Sequence, residues 1–439
     1  MVNKTPIFNL NAVLREVNLS ADVLRAWERR YQLPSPQRTA GGHRLYSEYD
    51  IEILKWLKTR QEEGLSISRA VSLWRELSAS GDPLANVKNP LGKSEAGYSA
   101  AFANIDTFRE QWISACMAFD ATTAENILNQ ALSLFSIENV SLHIIQRGLY
   151  DVGEKWMTGS ASVQQEHFAT ALAHNRLQAL IAGTPAPLLD KTILIGCPSG
   201  ELHTIPGLLL TLLLRREGFK VVYLGADIPV AQLTETADSI KPALIILAAQ
   251  RLPSARNLAE TASLLSARHH QVAYGGLVFT TTPELTARIA AHYLGDSLEG
   301  SISLIKNLVL QPLPLENPPV KTDAYPKLLA DFEEHRGLIE HRVLHSMRDN
   351  GKEFAALQEI NRFLGDSISA AISFGDLRFL DREIVWVSKL NKRVDVGGDI
   401  YPFYMKSYQA AVQQELGVTA APILDWFAAI DKTSHSKEI

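Results

Sequence analysis

Residues 25–36 read Arg-Ala-Trp-Glu-Arg-Arg-Tyr-Gln-Leu-Pro-Ser-Pro, and this stretch decides how the first part of the chain folds. The apolar spacing predicts a short helix over residues 9–17, a turn at residues 18–19 and a second helix over residues 21–31, with Ser20 as its N-cap. The prolines then end the second helix, because proline disrupts a helix interior. Two short helices joined by a tight turn are typical of a helix-turn-helix, whose second helix enters the major groove of DNA.

A second motif, Arg-Thr-Ala-Gly-Gly-His-Arg-Leu-Tyr, occupies residues 38–46. Its Gly-Gly tip predicts a β-hairpin wing, and its basic and hydroxyl side chains are suited to a phosphate backbone. Two further helices are expected at about residues 47–61 and 66–78. The predicted DNA-contact residues are Arg25, Trp27, Arg29, Arg30, Arg38, Thr39, His43, Arg44 and Tyr46.

In this order, the two motifs resemble the winged helix-turn-helix of the MerR family over about residues 6–77. A solvated helix face would account for the arginines, but not for the Trp-Glu-Arg segment, the proline stop and the Gly-Gly wing together. MerR-type domains bind palindromes as dimers, so the resemblance implies a double-stranded DNA operator and a self-associating chain. RNA polymerase is a further candidate partner.

The composition is that of a multidomain globular protein. The chain has 439 residues, of which 46% are hydrophobic and 21% charged, enough for several cores. Its net charge is −5, yet residues 1–80 hold 12 Lys and Arg against nine Asp and Glu, which permits a nucleic-acid contact there. Two cysteines, Cys116 and Cys197, predict neither a disulfide framework nor a zinc site. We expect a soluble cytoplasmic protein without a signal peptide, a membrane span or a membrane partner.

After a predicted linker at Gly81–Gly97, the apolar spacing becomes helical again. Short connections between the helices favour a four-helix bundle. The four helices are expected at about residues 100–118, 121–135, 138–156 and 161–181.

Three side chains are expected at one end of this bundle. Trp156 ends the third helix, and Glu166 and His167 begin the fourth, so an antiparallel arrangement gathers them as the roof of a ligand site. Taken alone, the three residues favour a simpler interpretation, namely a core tryptophan, a surface carboxylate and a hydrogen-bonded histidine.

Strands and helices alternate over residues 190–310, which predicts parallel strands joined by right-handed crossovers. Such a doubly wound sheet binds ligands at the carboxyl ends of its strands. The strands are expected at Thr192–Cys197, Lys220–Leu224, Ala243–Ala249, Gln271–Tyr274 and His292–Leu294.

The loop after the first of these strands carries His203, just before a helix. Glu201, two residues earlier, is placed to accept a hydrogen bond from the far ring nitrogen and so to fix the imidazole for metal ligation. No Gly-x-Gly-x-x-Gly motif is present there, which disfavours a dinucleotide site.

Glu201-x-His203, Gly275-Gly276 and the spacing from Trp156 to Glu166-His167 resemble the cobalamin-binding module of the CarH and LitR photoreceptor regulators, over about residues 6–310. The resemblance implies that His203 is the lower axial ligand of cobalt in adenosylcobalamin. It also implies that Trp156 caps the upper face, with Glu166 and His167 near the upper ligand. In that family the cofactor assembles a DNA-binding tetramer in the dark, and light releases the operator.

Three positions depart from the family pattern. Met157 stands where the photoreceptors carry a histidine that ligates cobalt after photolysis, which leaves the photochemistry open. Pro206 replaces the glycine of His-x-x-Gly, although proline suits the first turn of a helix. Ala248-Ala249 stand where a hydroxyl residue is expected. A pocket for another ligand, or for none, is therefore the alternative.

A second proline-rich linker is predicted at about residues 311–326, followed by mostly helical sequence that Val394–Asp399 interrupts. The segment Ile368-Ser369-Ala370 echoes Ile113-Ser114-Ala115, so a second bundle related to the first is one interpretation. We expect a helical domain for oligomerisation or partner binding.

The predicted fold class is multidomain and the predicted function is regulatory, not enzymatic. We expect a transcription regulator, a repressor, whose oligomeric state and operator binding respond to cobalamin and to light. The alternatives are a cobalamin-free regulator that senses another ligand or a protein partner, and a corrinoid-dependent methyltransferase component. The predicted domains are an all-α winged helix-turn-helix (residues 1–80), a four-helix bundle (98–184), a Rossmann-like, flavodoxin-like parallel α/β domain (190–310) and a C-terminal helical domain (323–439).

Overall fold

The computed structural model divides the chain into two compact units. One comprises residues 1–152 and 164–169, and the other comprises residues 153–163 and 170–439. No helix among the described residues is long and apolar enough to cross a membrane. The described residues are 5–17, 19, 21–38, 44–62, 67–80, 105–311, 313, 325–352, 356–392 and 400–435.

Four helices and a small antiparallel sheet make up the N-terminal domain. The prediction that this domain is all-α is therefore wrong. The strand order is β1-β3-β2, with Phe8 opposite Tyr46 and Gln37 opposite Leu45. The helices lie where the apolar spacing predicts them, while Ser20 and the Gly-Gly tip lie outside the described residues. The elements are β1 (Phe8–Asn9), α1 (Leu10–Val17), α2 (Ala21–Tyr31), β2 (Gln37–Arg38), β3 (Arg44–Tyr46), α3 (Glu48–Glu62) and α4 (Ile67–Ser80).

The helical segment that follows begins with two helices, Ile105–Met117 and Ala121–Leu134, that pack against each other. The first of them also contacts the helix Arg147–Met157. Trp112 is fully buried, and Gly148 lies so close to it that an added Cβ would come within 2.9 Å of the indole. The third predicted helix is divided by a π-helical stretch at Val140–Gln146. The four-helix bundle stays a prediction. The helices are α5 (Ile105–Met117), α6 (Ala121–Leu134), α7 (Ile137–Asn139), α8 (Arg147–Met157) and α9 (Val163–Ala182).

A five-stranded, fully parallel sheet follows, with helices between its strands. Its order β5-β4-β6-β7-β8 is the flavodoxin-like order, and every predicted strand is confirmed to within a residue at each end. Leu194, Ile245 and Leu247 are fully buried, as expected of strands covered on both faces. The elements are β4 (Thr192–Gly196), α10 (Ile205–Arg216), β5 (Lys220–Tyr223), α11 (Val230–Ile240), β6 (Leu244–Ala248), α12 (Leu252–Ala267), β7 (Val272–Gly275), α13 (Leu277–Thr281), β8 (His292–Tyr293) and α14 (Leu298–Leu310).

The C-terminal segment is helical, as predicted, and its central helix is buried along most of its length. Helix α16 contributes Ile360, Leu364, Ile368 and Ala371, each fully buried, to a core that also contains Leu258 of α12. The interruption predicted at Val394–Asp399 lies outside the described residues. The helices are α15 (Pro326–Asp349), α16 (Leu357–Ser373), α17 (Leu380–Lys392), α18 (Ile400–Leu416) and α19 (Ala421–His435).

Candidate metal centre and nucleic-acid interface

The strand order of the parallel sheet reverses between β4 and β6, and ligands of such sheets bind in the crevice at that point. The loop after β4 carries His203, and the loop after β6 carries Gln250. Asp227 organises the first loop, since its carboxylate accepts a hydrogen bond from the Gly200 N–H at 2.8 Å. Gly200 itself has φ +79°, a conformation that favours glycine.

A buried carboxylate connects these two loops. One oxygen of Glu201 lies 2.6 Å from Nδ1 of His203 and accepts the His203 N–H at 2.8 Å. The other oxygen accepts the Gln250 N–H and the Ser254 hydroxyl, both at 2.7 Å. Glu201 is only 1% exposed, so the hydrogen bonds compensate for its desolvation.

The pKa of Glu201 reflects these opposing influences. Burial alone raises the pKa of this carboxyl group. The hydrogen bond and charge of His203, together with the Ser254 hydroxyl, outweigh burial and lower the pKa to about 2. The group is therefore a carboxylate throughout the physiological range.

His203 has the geometry of a metal ligand whose orientation is fixed by a carboxylate. Its side chain is 49% exposed, while Nδ1 is engaged by Glu201. This bond favours the tautomer that carries the proton on Nδ1, which leaves the Nε2 lone pair for a ligand on the opposite side of the ring. An imidazole nitrogen is a suitable donor for a first-row transition metal.

The edge of the sheet beside His203 is open and partly apolar. A Cβ added at Gly275 would meet no heavy atom within 4 Å, so space remains at the end of β7. Leu202 is 70% exposed and Leu277 is 50% exposed on loops of the same edge. Free space and exposed apolar side chains therefore lie on the same edge of the sheet as an oriented imidazole.

Gly276 is required by the packing of this edge. Its φ is +131°, and an added Cβ would lie 1.8 Å from the carbonyl oxygen of Ala249. The Gln250 side-chain oxygen also accepts the Leu277 N–H at 3.0 Å, which ties the loops after β6 and β7 together.

One of the three departures, Pro206, is accommodated by the local structure. Pro206 lies in the first turn of α10, where it costs no helical hydrogen bond. The hydroxyl that supports Glu201 belongs to Ser254 in the first turn of α12, while Ala249 at the end of β6 is buried. Neither Ser254 nor Gln250 was predicted as a site residue, because nothing in the spacing of either residue indicates a contact with Glu201.

The residues predicted for the upper face are placed as follows. Trp156 and Met157 are half-buried in the last turn of α8. Glu166 lies in the first turn of α9 and His167 follows it, with its side chain 75% exposed and its Nε2 3.7 Å from a Glu166 oxygen. Their gathering around a common ligand stays a prediction.

Thiolate ligation has little support. Both cysteines are buried and free. Burial, followed by the charge of a nearby glutamate, raises the pKa of each thiol to about 12. Neither Cys116 nor Cys197 is therefore a ready metal ligand or nucleophile.

The predicted DNA-contact residues of α2 fall into two groups. Arg25, Arg29 and Arg30 are exposed, as a phosphate- or base-contacting surface requires. Trp27 is only 5% exposed and lies in the core of the domain, so the prediction of a direct DNA contact is corrected to a packing role. Thr39 and His43 lie outside the described residues, and for Arg38 only the strand is described.

A second correction concerns Tyr46. The residue is fully buried, and its hydroxyl donates to Glu28 at 2.5 Å. Burial, followed by this bond, raises the pKa of the phenol. The other Glu28 oxygen accepts from Nε of Arg44 at 2.8 Å. Glu28, which the sequence analysis missed, thus joins α2 to the strand that follows the predicted wing.

Comparison with known proteins identifies a family for the N-terminal domain and another for the two segments that follow it. A family model described as "MerR HTH family regulatory protein" matches residues 8–77. Two models described as "B12 binding domain" match residues 109–181 and 191–298.

Two relatives from Myxococcus xanthus are similar over most of their own length. The HTH-type transcriptional repressor CarH is 29% identical over 298 residues, which cover 66% of this chain and 95% of CarH. The HTH-type transcriptional repressor CarA is 31% identical over 261 residues, which cover 58% of this chain and 80% of CarA. Among solved structures, the monomethylamine corrinoid protein of Methanosarcina barkeri has 16% identity and a TM-score of 0.41, covering 46% of this chain and 99% of that one.

The identity to CarA extends over four fifths of that relative, and the MerR and B12-binding models match in succession along the chain. The chain therefore belongs to the family of MerR-type, cobalamin-binding transcription regulators that includes CarH and CarA.

Proposed function

We propose that this protein is a cytoplasmic transcriptional repressor whose operator binding responds to a cobalamin ligated through His203. The observation that carries the proposal is the buried Glu201 carboxylate, which receives four hydrogen-bonding contacts and fixes a half-exposed imidazole at the switch point of the sheet. The names of the relatives support the regulatory role, since CarH and CarA are both transcriptional repressors.

The residues around His203 are proposed to hold and orient the cofactor. Glu201 holds the Nδ1 proton of His203 and strengthens the ring as a donor at Nε2. Ser254 and the Gln250 N–H hold Glu201 in place. Trp156, Met157, Glu166 and His167 are proposed to line the upper side. A bound adenosylcobalamin would supply cobalt with an exchangeable upper ligand and a light-sensitive cobalt–carbon bond.

On the DNA side, α2 is proposed to lie in the major groove. Arg25, Arg29 and Arg30 are the exposed cations of that helix. Glu28 supports the wing by fixing Arg44 and Tyr46 of β3. Because MerR-type domains read palindromes, we propose a dimer or tetramer on the operator, with RNA polymerase as a further partner.

The test is to load the full chain with adenosylcobalamin and to record its absorption spectrum and operator binding before and after green light. His203→Ala is expected to weaken cofactor retention and to abolish the cofactor dependence of DNA binding. His270→Ala is a matched control, because His270 also pairs with a carboxylate, Asp238 at 2.8 Å, but follows α12 near the amino end of β7.

The outcomes separate the parts of the proposal. DNA binding without any bound corrinoid would refute the cobalamin role and leave a regulator of another ligand. Bound cobalamin with light-insensitive operator binding would identify a chemical sensor. Equal cofactor retention by wild type and His203→Ala would refute His203 as the ligand.

A further inference from the structure

The glycine that follows His203 stands one residue later than in the His-x-x-Gly pattern. Pro206 occupies the family position, and Gly207 is the next residue, buried in the first turn of α10. Gly207 does not have a positive φ, so its backbone conformation does not require glycine. Since glycine weakens a helix relative to alanine, its presence here needs an explanation in the packing.

The aromatic ring of Tyr223, the last residue of β5, gives this explanation. A Cβ added at Gly207 would come within 2.9 Å of a ring carbon of Tyr223, closer than side chains pack. Alanine at residue 207 would therefore push the ring away from α10. The glycine admits the ring against the turn that directly follows the His203 loop.

The Tyr223 hydroxyl also reaches this turn. It donates a hydrogen bond to the Thr204 carbonyl at 3.1 Å. Thr204 is the residue after His203 and the N-cap of α10, and its carbonyl also accepts the Leu208 N–H at 3.0 Å. Tyr223 is thus bonded to the peptide group at which the His203 loop becomes a helix.

The backbone of His203 is held on its other side by Glu201. As described above, one Glu201 oxygen accepts the His203 N–H and also lies at Nδ1 of the ring. Cys197 adds a weak contact, since its thiol donates to the His203 carbonyl at 3.8 Å. Glu201 therefore fixes the direction of the imidazole, while Tyr223 holds the chain from which the imidazole projects.

Packing alone does not confine the Tyr223 ring. The ring borders a cavity of about 420 Å³ whose walls come from α9, α10 and β5, with Gln178 and Leu208 among the lining residues. A ring released from Thr204 has room to move toward this cavity, and it would then leave the first turn of α10 without its support. The hydroxyl bond is therefore the contact that decides where the ring lies.

We propose that Tyr223 is a positioning residue for the axial ligand: with its ring against Gly207 and its hydroxyl on Thr204, it sets the position from which the His203 imidazole reaches cobalt. Gly207, and not residue 206, is then the position in this chain that must stay glycine. The inference rests on the proposed role of His203, and it assigns a role to a departure from the family pattern that the proposed function leaves unused.

The test uses variants of the full chain. Tyr223→Phe removes the hydroxyl and keeps the ring. Gly207→Ala, which displaces the ring, is made in the wild-type background and in a Tyr223→Ala background, where the new methyl group has space. Tyr293→Phe is the matched control, because Tyr293 is the last residue of the opposite edge strand β8 and its hydroxyl donates to Asp296 at 2.6 Å.

Two properties of each variant are measured. Hydrogen exchange of residues 203–208 in the cofactor-free protein reports how firmly this segment is held. Electron paramagnetic resonance of bound cob(II)alamin in ¹⁵N-labelled protein reports the fraction of cobalt that carries a nitrogen ligand from the protein. A change in overall stability alone does not alter that fraction in the folded, loaded protein.

Tyr223→Phe is expected to raise exchange at Leu208 and to weaken cob(II)alamin binding, each by about 2- to 10-fold, the effect of one hydrogen bond. It is also expected to lower the fraction with a protein nitrogen on cobalt. Gly207→Ala is expected to have the same effects in the wild-type background and no further effect in the Tyr223→Ala background. Tyr293→Phe is expected to behave as wild type.

Wild-type exchange and ligation in Tyr223→Phe would overturn the proposal, as would equal effects of Gly207→Ala in the two backgrounds. If the wild type binds no cobalamin, the proposed function fails, and exchange in the unloaded protein still decides whether Tyr223 and Gly207 hold the His203 segment. If the wild type carries a protein nitrogen on cobalt and Tyr223→Phe keeps it in full, the proposed function stands and this inference fails. Should Gly207→Ala not fold, Tyr223→Phe, which adds no bulk, gives the decision.

Discussion

Replacing each of the two adjacent glycines at the end of β7, Gly275 and Gly276, by alanine is expected to change the stability of the protein in opposite directions. In Gly276→Ala the new Cβ would start 1.8 Å from the Ala249 carbonyl oxygen, which would have to recede by about 1.2 Å to reach a 3.0 Å separation. The φ of +131° adds backbone strain of about 1–3 kcal/mol. Moving Ala249 would also weaken its 3.1 Å N–H bond to the Gly275 carbonyl, a further ~1 kcal/mol. We expect a total loss of about 2–4 kcal/mol in the free energy of unfolding.

Gly275→Ala is the control built into the same dipeptide. The added Cβ meets nothing within 4 Å, and φ at this position is not positive. Alanine therefore reduces mainly the entropy of the unfolded chain, and stability should rise by about 0–1 kcal/mol. Urea unfolding of the cofactor-free protein, followed by far-ultraviolet circular dichroism, measures both variants. Wild-type stability in Gly276→Ala, or a loss above about 2 kcal/mol in Gly275→Ala, would refute the described geometry of this edge.

Three more substitutions test other contacts. Glu28→Ala should lower the free energy of unfolding by about 1–3 kcal/mol, because it leaves the buried Tyr46 hydroxyl without its acceptor. Chemical denaturation measures this loss, and a larger loss in Tyr46→Phe than in Glu28→Ala would contradict the prediction. Arg29→Ala should weaken operator binding and reduce the slope of log affinity against log salt concentration by about one, while the free energy of unfolding stays unchanged. An unaltered slope in a salt titration would contradict a phosphate contact by Arg29. Ser254→Ala should lower the fraction of bound cobalamin whose cobalt is ligated by a protein nitrogen, since it removes a hydrogen-bond donor to Glu201. It should also lower the free energy of unfolding by about 1 kcal/mol. Full ligation in the electron paramagnetic resonance spectrum of bound cob(II)alamin would show that the remaining donors suffice.

Much of the fold could be predicted because local patterns determine it. The β4–β8 strands are short apolar runs between helical segments, and the right-handed crossover rule restricts their topology. The Glu201–His203 contact was also predictable, since two residues in one loop can meet without any information about the tertiary structure. The π-helical stretch at Val140–Gln146 carried no such signal, because its apolar spacing resembles that of an α-helix.

The DNA-binding domain shows a different limit. Trp27 and Tyr46 belong to the motif that identifies the family, and they were predicted to contact DNA for that reason. A recurring motif combines residues that recognise a ligand with residues that hold the recognising element, and spacing alone does not separate the two. Burial separates them, since Trp27 and Tyr46 lie in the core and Arg25, Arg29 and Arg30 lie on the surface.

Long-range polar contacts were the least predictable part. The Gln250 N–H and the Ser254 hydroxyl meet the Glu201 carboxylate although they lie 49 and 53 residues further along the chain. Spacing carries no sign of these contacts, because they depend on the crossover that brings β6 beside β4. A buried carboxylate requires hydrogen-bond donors to offset its desolvation. The sequence therefore indicates that a buried Glu201 needs partners, whereas only the pairing of the strands decides which residues supply them.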